Sequence, residues 1–284
     1  MALRLMYITD NTEVAKIADK HGVDRIFVDM EYIGKEDRQR GLDCVKLHHT
    51  LDDVARIRKA VSNAEVLVRI NPIHDATAEY SNTEDEVLSA IDAGADVIML
   101  PMYRTVSDVH RLLNAVDGKC KVMLLAETPQ ACEIMPEVVR IPEVDEIHIG
   151  LNDLHLAYKK HFMFELLTDG TVEKLCRIMK DAGKQYGFGG IARIKHGLLP
   201  AEYVIREHYR LGSGSAILSR SFCNIDRCES LEEIERLFSI ELKKIRAEEQ
   251  FAAKMTEKEY VQNSREIENF VERIVSGIKD ERNG

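Results

Sequence analysis

The chain contains no apolar run approaching the roughly 20 residues that a bilayer-spanning helix needs. Its first residues, Met1-Ala2-Leu3-Arg4-Leu5-Met6, run straight into a strand pattern and lack the layout of a signal peptide. Both absences favour a cytoplasmic location. Positive charge is in deficit: 39 Lys and Arg stand against 49 Asp and Glu, a formal net charge of -10. That balance argues against nucleic acid or an anionic membrane as partner. The six cysteines, Cys44, Cys120, Cys132, Cys176, Cys223 and Cys228, include no C-x-x-C pair. Zinc-finger and disulfide-scaffold architectures are thereby excluded, and all six read as reduced thiols. No Gly-x-Gly-x-x-Gly follows the first strand, which removes the best argument for a dinucleotide-binding fold.

What is present is an ordinary globular composition, 45% hydrophobic and 31% charged over 284 residues, enough for one large α/β domain. Short β-branched runs too apolar to have a solvent face alternate with longer stretches of 3.6-residue period. The strands are expected at Arg4–Ile8, Arg25–Asp29, Glu65–Ile70, Asp96–Leu100, Lys121–Ala126, Glu146–Ile149, Phe188–Ile194 and Ser215–Leu218. Helices are expected between them: after Asn11 or Thr12, near Leu51–Val61, over Thr83–Ala93 and Val106–Val116, from Pro129, and over Thr171–Ala182 and Ala201–Tyr209. Eight strand-helix units predict a (β/α)₈ TIM barrel over residues 1–228, with an open doubly wound sheet as the alternative. From about Ser230 the texture becomes dense in Glu, Lys and Arg. Two apolar stripes persist, Leu231-Ile234-Leu237-Phe238 and Phe270-Val271-Ile274-Ile278. Residues 229–284 therefore read as additional C-terminal helices, either a solvated tail or an element that packs on a neighbouring subunit of a homo-oligomer.

A barrel interior is packed and apolar, so polar residues at the C-terminal strand ends point to chemistry. Here Asp29 and Glu31 follow strand two, Arg69 ends strand three, Glu127 follows strand five, and Asn152 and Asp153 follow strand six. Arg193, Ser219 and Arg220 lie at the ends of strands seven and eight. Glu127 and Asp153 are carboxylates on adjacent strands, which repel unless a cation lies between them. Hard oxygen donors of this kind suit Mg²⁺ or Mn²⁺. The bland alternative makes both of them helix N-caps. Arg69 can pair with Glu127 or present its guanidinium fork to a substrate carboxylate.

At these residues the sequence resembles the HpcH/HpaI aldolase and citrate lyase β-subunit superfamily, whose barrels bind phosphoenolpyruvate or pyruvate. The resemblance rests on five stretches in family order: Val28-Asp29-Met30-Glu31, Val66 to Pro72, Ala93 to Met102, Leu124 to Thr128, and Ile149 to Leu154. It implies a metal-dependent lyase handling a 2-keto acid through an enolate. On this basis Glu127 and Asp153 match the metal ligands and Arg69 the substrate-carboxylate arginine. Asp29, Glu31 and Tyr32 fall among the catalytic positions, while Pro101, Met102 and Asn152 fall among the substrate-binding ones. The sequence departs from the aldolases at Tyr32, where they carry a histidine base. It also lacks their Gly- and Arg-containing loop between strands four and five, which is closer to the citrate lyase side. Its connection from Ile33 to Thr50 is long and locally basic, with Lys35, Arg38, Arg40, Lys46 and the pair His48-His49. Tyr32, His48 and His49 remain alternatives for the base, and the loop is a candidate for recruiting an anionic substrate. Three functions compete: an aldolase-type carbon–carbon lyase, a lyase of CoA thioesters, and a barrel that binds metal without catalysis.

Overall fold

A computed structural model describes residues 2–35 and 49–283. The described residues form a closed parallel barrel in which β1 (Arg4–Ile8), β2 (Arg25–Asp29), β3 (Glu65–Arg69), β4 (Val97–Leu100), β5 (Lys121–Ala126), β6 (Glu146–Ile149), β7 (Gln185–Ile191) and β8 (Ser215–Leu218) pair in chain order, β8 closing on β1. The outer ring contains α1 (Thr12–Lys20), α2 (Leu51–Ala60), α3 (Thr83–Asp92), α4 (Val106–Val116), α5 (Pro129–Glu133), α6 (Met135–Val138), α7 (Leu151–Ala157), α8 (Glu165–Thr168), α9 (Thr171–Asp181) and α10 (Ala201–Leu211). Then come α11 (Leu231–Ala252) and α12 (Glu257–Asn283). Local chemistry starts the helices where the sequence pattern expects them. The Asn11 side chain accepts from the amides of Glu13 and Val14, and Thr50 and Thr105 each form reciprocal caps with the Asp three residues on.

One expected strand is displaced. β7 covers Gln185–Ile191, three residues earlier than Phe188–Ile194, and its pairing with β8 shifts register between Gly187 and Gly190. The three glycines in this strand obscure its period, yet the fold needs at least one of them. A Cβ on Gly187 would lie 2.1 Å from Ser215 Oγ, so only glycine lets β8 approach this closely. Arg193 consequently lies two residues beyond the strand.

Strand alternation divides the core. Met6, Phe27, Leu67, Val97, Met99, Met123 and Leu125 fill the barrel interior, and a larger cluster fills the space between barrel and helices. The β2–β3 register pairs Arg25 with Glu65, Phe27 with Leu67, and Asp29 with Arg69. All six share one parity and therefore face inward. At the N-terminal mouth Arg25, fully buried, crosses to β6 on the opposite wall. Its Nη1 and Nη2 donate to Glu146 at 2.8 and 2.6 Å, and its Nε donates to Glu65 at 2.8 Å. Arg4 adds a bond to Glu146 and Lys121 one to Glu65. This ion network seals the bottom of the barrel.

The tail helices continue the same core. Ile234, Phe238, Leu242, Ile245, Ile267 and Val271 are buried in the cluster shared with the barrel, and Leu237, Phe270, Ile274 and Ile278 pack against it. The chain's own barrel thus covers most of both stripes, while Leu231 stays exposed. No helix among the described residues is long and apolar enough to cross a membrane.

Two predictions follow from the buried charges and histidines. Arg25→Ala strands Glu146 without its main partner and should lower stability by about 3–5 kcal/mol in a denaturant titration. His148 and His208 are buried, and desolvation pushes them down to about 4 and about 3. Both ionise more readily in the unfolded chain, near 6.5, so the unfolded state binds more protons as pH falls below that value. Stability should therefore be level above about pH 7 and fall by about 1.4 kcal/mol per pH unit per histidine between about pH 6 and 4. His208→Gln should make this acid limb shallower; an unchanged slope would show that other groups set it.

Candidate active site

The C-terminal mouth of the barrel holds two carboxylate groupings in opposite electrostatic states. In the first, Asp29 is 1% exposed and fully neutralised. Arg69 Nε and Nη2 donate to its two oxygens at 2.8 and 2.7 Å, a bidentate fork, and Lys35 Nζ reaches Oδ2 at 2.5 Å. Burial alone would raise the Asp29 carboxyl, but Arg69 and Lys35 overcome it and hold the group well below the usual range. Arg69 Nη1 lies 3.3 Å from Glu31 Oε2, and its guanidinium stands 5.6 Å over the Phe27 ring. Lys35, read from sequence as one of the loop's basic charges, is instead turned inward. The segment 36–48, with Arg38, Arg40, Lys46 and His48, lies outside the described residues.

The residues after β2 are tied down from both sides. Asn71 Oδ1 accepts from the amides of Tyr32 and Ile33, and its Nδ2 donates to Glu86 at 2.9 Å. The Tyr32 hydroxyl donates to the His49 carbonyl, while burial and then Asp29 raise its pKa. At neutral pH the phenol is therefore a proton donor. His49, 1% exposed, accepts the Asp29 amide at its Nδ1 at 3.0 Å, which assigns the ring proton of the neutral imidazole to Nε2.

The second grouping is Glu127 with Asp153. Glu127 directly follows β5 and is 3% exposed; Asp153 sits in the first turn of α7 and is half-buried. Neither is a helix N-cap. Thr128 caps α5 by accepting the Ala131 amide, and the N-cap of α7 is Gly150, with no side-chain cap. Burial, then the charge of Asp153, raises the Glu127 carboxyl well above its ordinary range, with Arg69 opposing and Glu31 adding to the rise. The carboxylate is held in place by its neighbours. Met102 donates its amide to Glu127 Oε1 at 3.1 Å, from a left-handed backbone at φ 54° that non-glycine residues rarely adopt. β5–β6 register sets Ala126 beside Ile149, so Gly150 comes opposite Glu127. A Cβ on Gly150 would lie 2.8 Å from Glu127 Cβ and 2.9 Å from its Oε2.

Met102, Glu127 and Asp153 line one cleft of about 380 Å³, together with Arg104, Gln130 and Leu156. Of the other sequence-expected binding residues, Pro101 is buried and Asn152 is exposed, and neither lines this cleft. Among the described residues no group of three or more His, Cys, Asp or Glu is arranged to hold a metal ion, so Glu127 and Asp153 are a two-carboxylate set. Gly150, Lys35 and Asn71 were not singled out from sequence as site residues. The glycine two residues before Asn152-Asp153 was the available signal for the first; the other two act through tertiary contacts that the sequence alone does not display.

A model of the HpcH/HpaI aldolase/citrate lyase family matches residues 4–166. The chain belongs to this family. Solved structures agree on the fold. An HpcH/HpaI aldolase/citrate lyase family protein from Burkholderia cenocepacia J2315 is 15% identical, with a TM-score of 0.61 over 82% of this chain and 95% of that one. An HpcH/HpaI aldolase from Desulfitobacterium hafniense DCB-2 is 15% identical, with a TM-score of 0.58 over 77% and 86%. The citrate synthase SbnG is 13% identical, with a TM-score of 0.58 over 88% and 95%. No curated protein sequence matches.

The cradle around Glu127 makes a direct prediction. Gly150→Ala forces β5 and the start of α7 apart, because the obstructing atom is a Cβ close to the backbone. It should cost about 1–3 kcal/mol in unfolding free energy. Unfolding at the wild-type denaturant midpoint would show that the close approach is absent.

Proposed function

We propose that this chain is a metal-dependent carbon–carbon lyase of the class II aldolase type, which cleaves or forms a 2-keto acid through a pyruvate-like enolate. The observation that carries the reading is the buried Glu127 carboxylate, fixed by the Met102 amide, pressed against Gly150, and close enough to Asp153 and Arg69 to feel both charges. Two hard oxygen donors whose charges repel one another fit a divalent cation such as Mg²⁺ or Mn²⁺. Bound there, the ion would supply Lewis-acid polarisation of a keto oxygen, with substrate and water filling its remaining positions.

The chain's own residues do the rest. Arg69 gives Nε and one Nη2 hydrogen to Asp29 and turns Nη1 toward Glu31, which leaves one hydrogen on each of Nη1 and Nη2 to bind a substrate carboxylate. Asp29 and Lys35 fix that guanidinium before substrate arrives, so less ordering is needed at binding. Positive charge fixed beside the cleft favours the enolate over the neutral ketone, and that difference lowers the barrier. Tyr32 supplies a protonated phenol rather than a base.

Manganese titration and a lyase assay test the reading together. Glu127→Gln and Asp153→Asn should each weaken Mn²⁺ binding at least about tenfold and remove pyruvate release from hydroxylated 2-keto acids. Arg69→Lys should retain Mn²⁺ binding yet lower kcat/KM by about 100-fold, because lysine lacks the fork. Unchanged Mn²⁺ affinity in both carboxylate variants would sink the metal site. Cleavage of malyl- or citryl-type thioesters in place of free hydroxy-keto acids would reassign the substrate to the citrate lyase type.

A further inference from the structure

The loop after β8 contains a feature that the carboxylate chemistry does not use. Cys223 and Cys228 are separated by four residues, and the 3₁₀ turn Ile225–Arg227 folds the segment back on itself. The Cys228 amide donates to Ile225 O at 3.1 Å and its thiol to Asn224 O at 3.4 Å, and the turn brings the two thiols near enough for each to influence the other's charge. The other described cysteines, Cys120, Cys132 and Cys176, are also free thiols. The members of the pair differ in access. Cys223 is 3% exposed, with the Tyr7 hydroxyl donating to its carbonyl at 3.4 Å, and Cys228 is half-buried. Burial raises the Cys223 thiol to about 11.

We propose that Cys223 and Cys228 form a thiol–disulfide exchange site that low-molecular-weight disulfides such as glutathione disulfide oxidise to an intrachain bond. The accessible thiol is the entry point. The Cys228 thiolate attacks one sulfur of the small disulfide, forming a mixed disulfide and releasing one small thiolate, which takes up the proton that Cys228 lost. Cys223, at the other end of the same short turn, then gives up its proton to solvent and attacks the Cys228 sulfur, expelling the second small thiolate, which is protonated in turn. Two protein thiols are oxidised and one small disulfide is reduced to two thiols, so electrons and protons balance.

The site has a mechanical link to the rim of the barrel. The same loop carries Ser219 to Ser221. Ser221 O accepts from Arg193 Nε at 3.3 Å, Ser219 N donates to Ile191 O at 2.9 Å, and the buried Phe222 ring packs edge-on to Phe238 at 5.2 Å. A bond between Cys223 and Cys228 fixes the far end of this loop while Phe222 anchors its near end. Arg220 then lies just ahead of a loop segment held at both ends, and Arg193, beyond β7, rests on that loop through the Ser221 carbonyl.

The test uses the intact chain incubated with glutathione disulfide and digested with trypsin without reduction. Cleavage after Arg220, Arg227 and Arg236 places the two cysteines in separate peptides, 221–227 and 228–236. The expected result is one linked species containing both, which dithiothreitol separates, and a fall of two in the titratable thiols of the denatured protein. Cys223→Ser should instead retain glutathione on Cys228, and Cys228→Ser should leave Cys223 unmodified. A stable glutathione adduct on Cys228 of the wild-type chain, linkage to any other cysteine, or two unmodified thiols would each overturn the proposal.

Discussion

The register between β2 and β3 sets both ends of the barrel at once. One alignment puts Arg25 beside Glu65, Phe27 beside Leu67, and Asp29 beside Arg69. Strand period two sends all three pairs inward, as an ion network at the bottom, an apolar layer in the middle and an ion pair at the top. A slip of β2 by one residue would turn Arg25, Phe27 and Asp29 outward and leave Glu146 across the barrel without Arg25, its main partner. The charge order also reverses between the ends, since β2 contributes the cation below and the anion above. The same two strands therefore close one mouth and furnish the other.

At the open mouth the division between structure and chemistry is an electrostatic one. Asp29 is satisfied by the chain itself through Arg69 and Lys35, and it serves to hold a cation in place. Glu127 is held differently: the Met102 amide donates to it, its near neighbour Asp153 repels it, and Arg69 only partly offsets the burial. Low dielectric makes such an uncompensated group costly. The strained backbone of Met102 and the bare Gly150 maintain it nonetheless, which is the pattern expected where folding stability yields to binding.

Much of this was legible in the sequence. Strands β1, β2, β5, β6 and β8 begin and end where their apolar runs do, because a parallel strand buried on both faces has no polar alternation to blur its edges. Glu127 and Asp153 were visible for the same reason, as carboxylates directly beyond such runs. β7 was misplaced by three residues because glycines have no side chain to show a period, and they are there to admit a neighbouring strand. The fork between Arg69 and Asp29 was not legible either. Both residues could be named, but their meeting depends on register, which belongs to the pair of strands and to neither alone. The tail's stripes were visible as stripes, whereas the surface that covers them, the chain's own barrel, was a tertiary fact.

Those tail helices also tie the two ends of the fold together. Glu249 in α11 is 2% exposed and accepts the Leu3 amide through Oε1, while Arg246 donates to Leu3 O at 2.7 Å and to Glu249 at 2.8 Å. The first strand therefore finds its last partners some 246 positions downstream. During vectorial synthesis β1 emerges first, yet it stays incompletely paired until β8 and then α11 have left the ribosome. Closure of this barrel is thus a late event that depends on contacts distant in sequence, and until then its opening strand, paired with β2 on one side, keeps its other edge open.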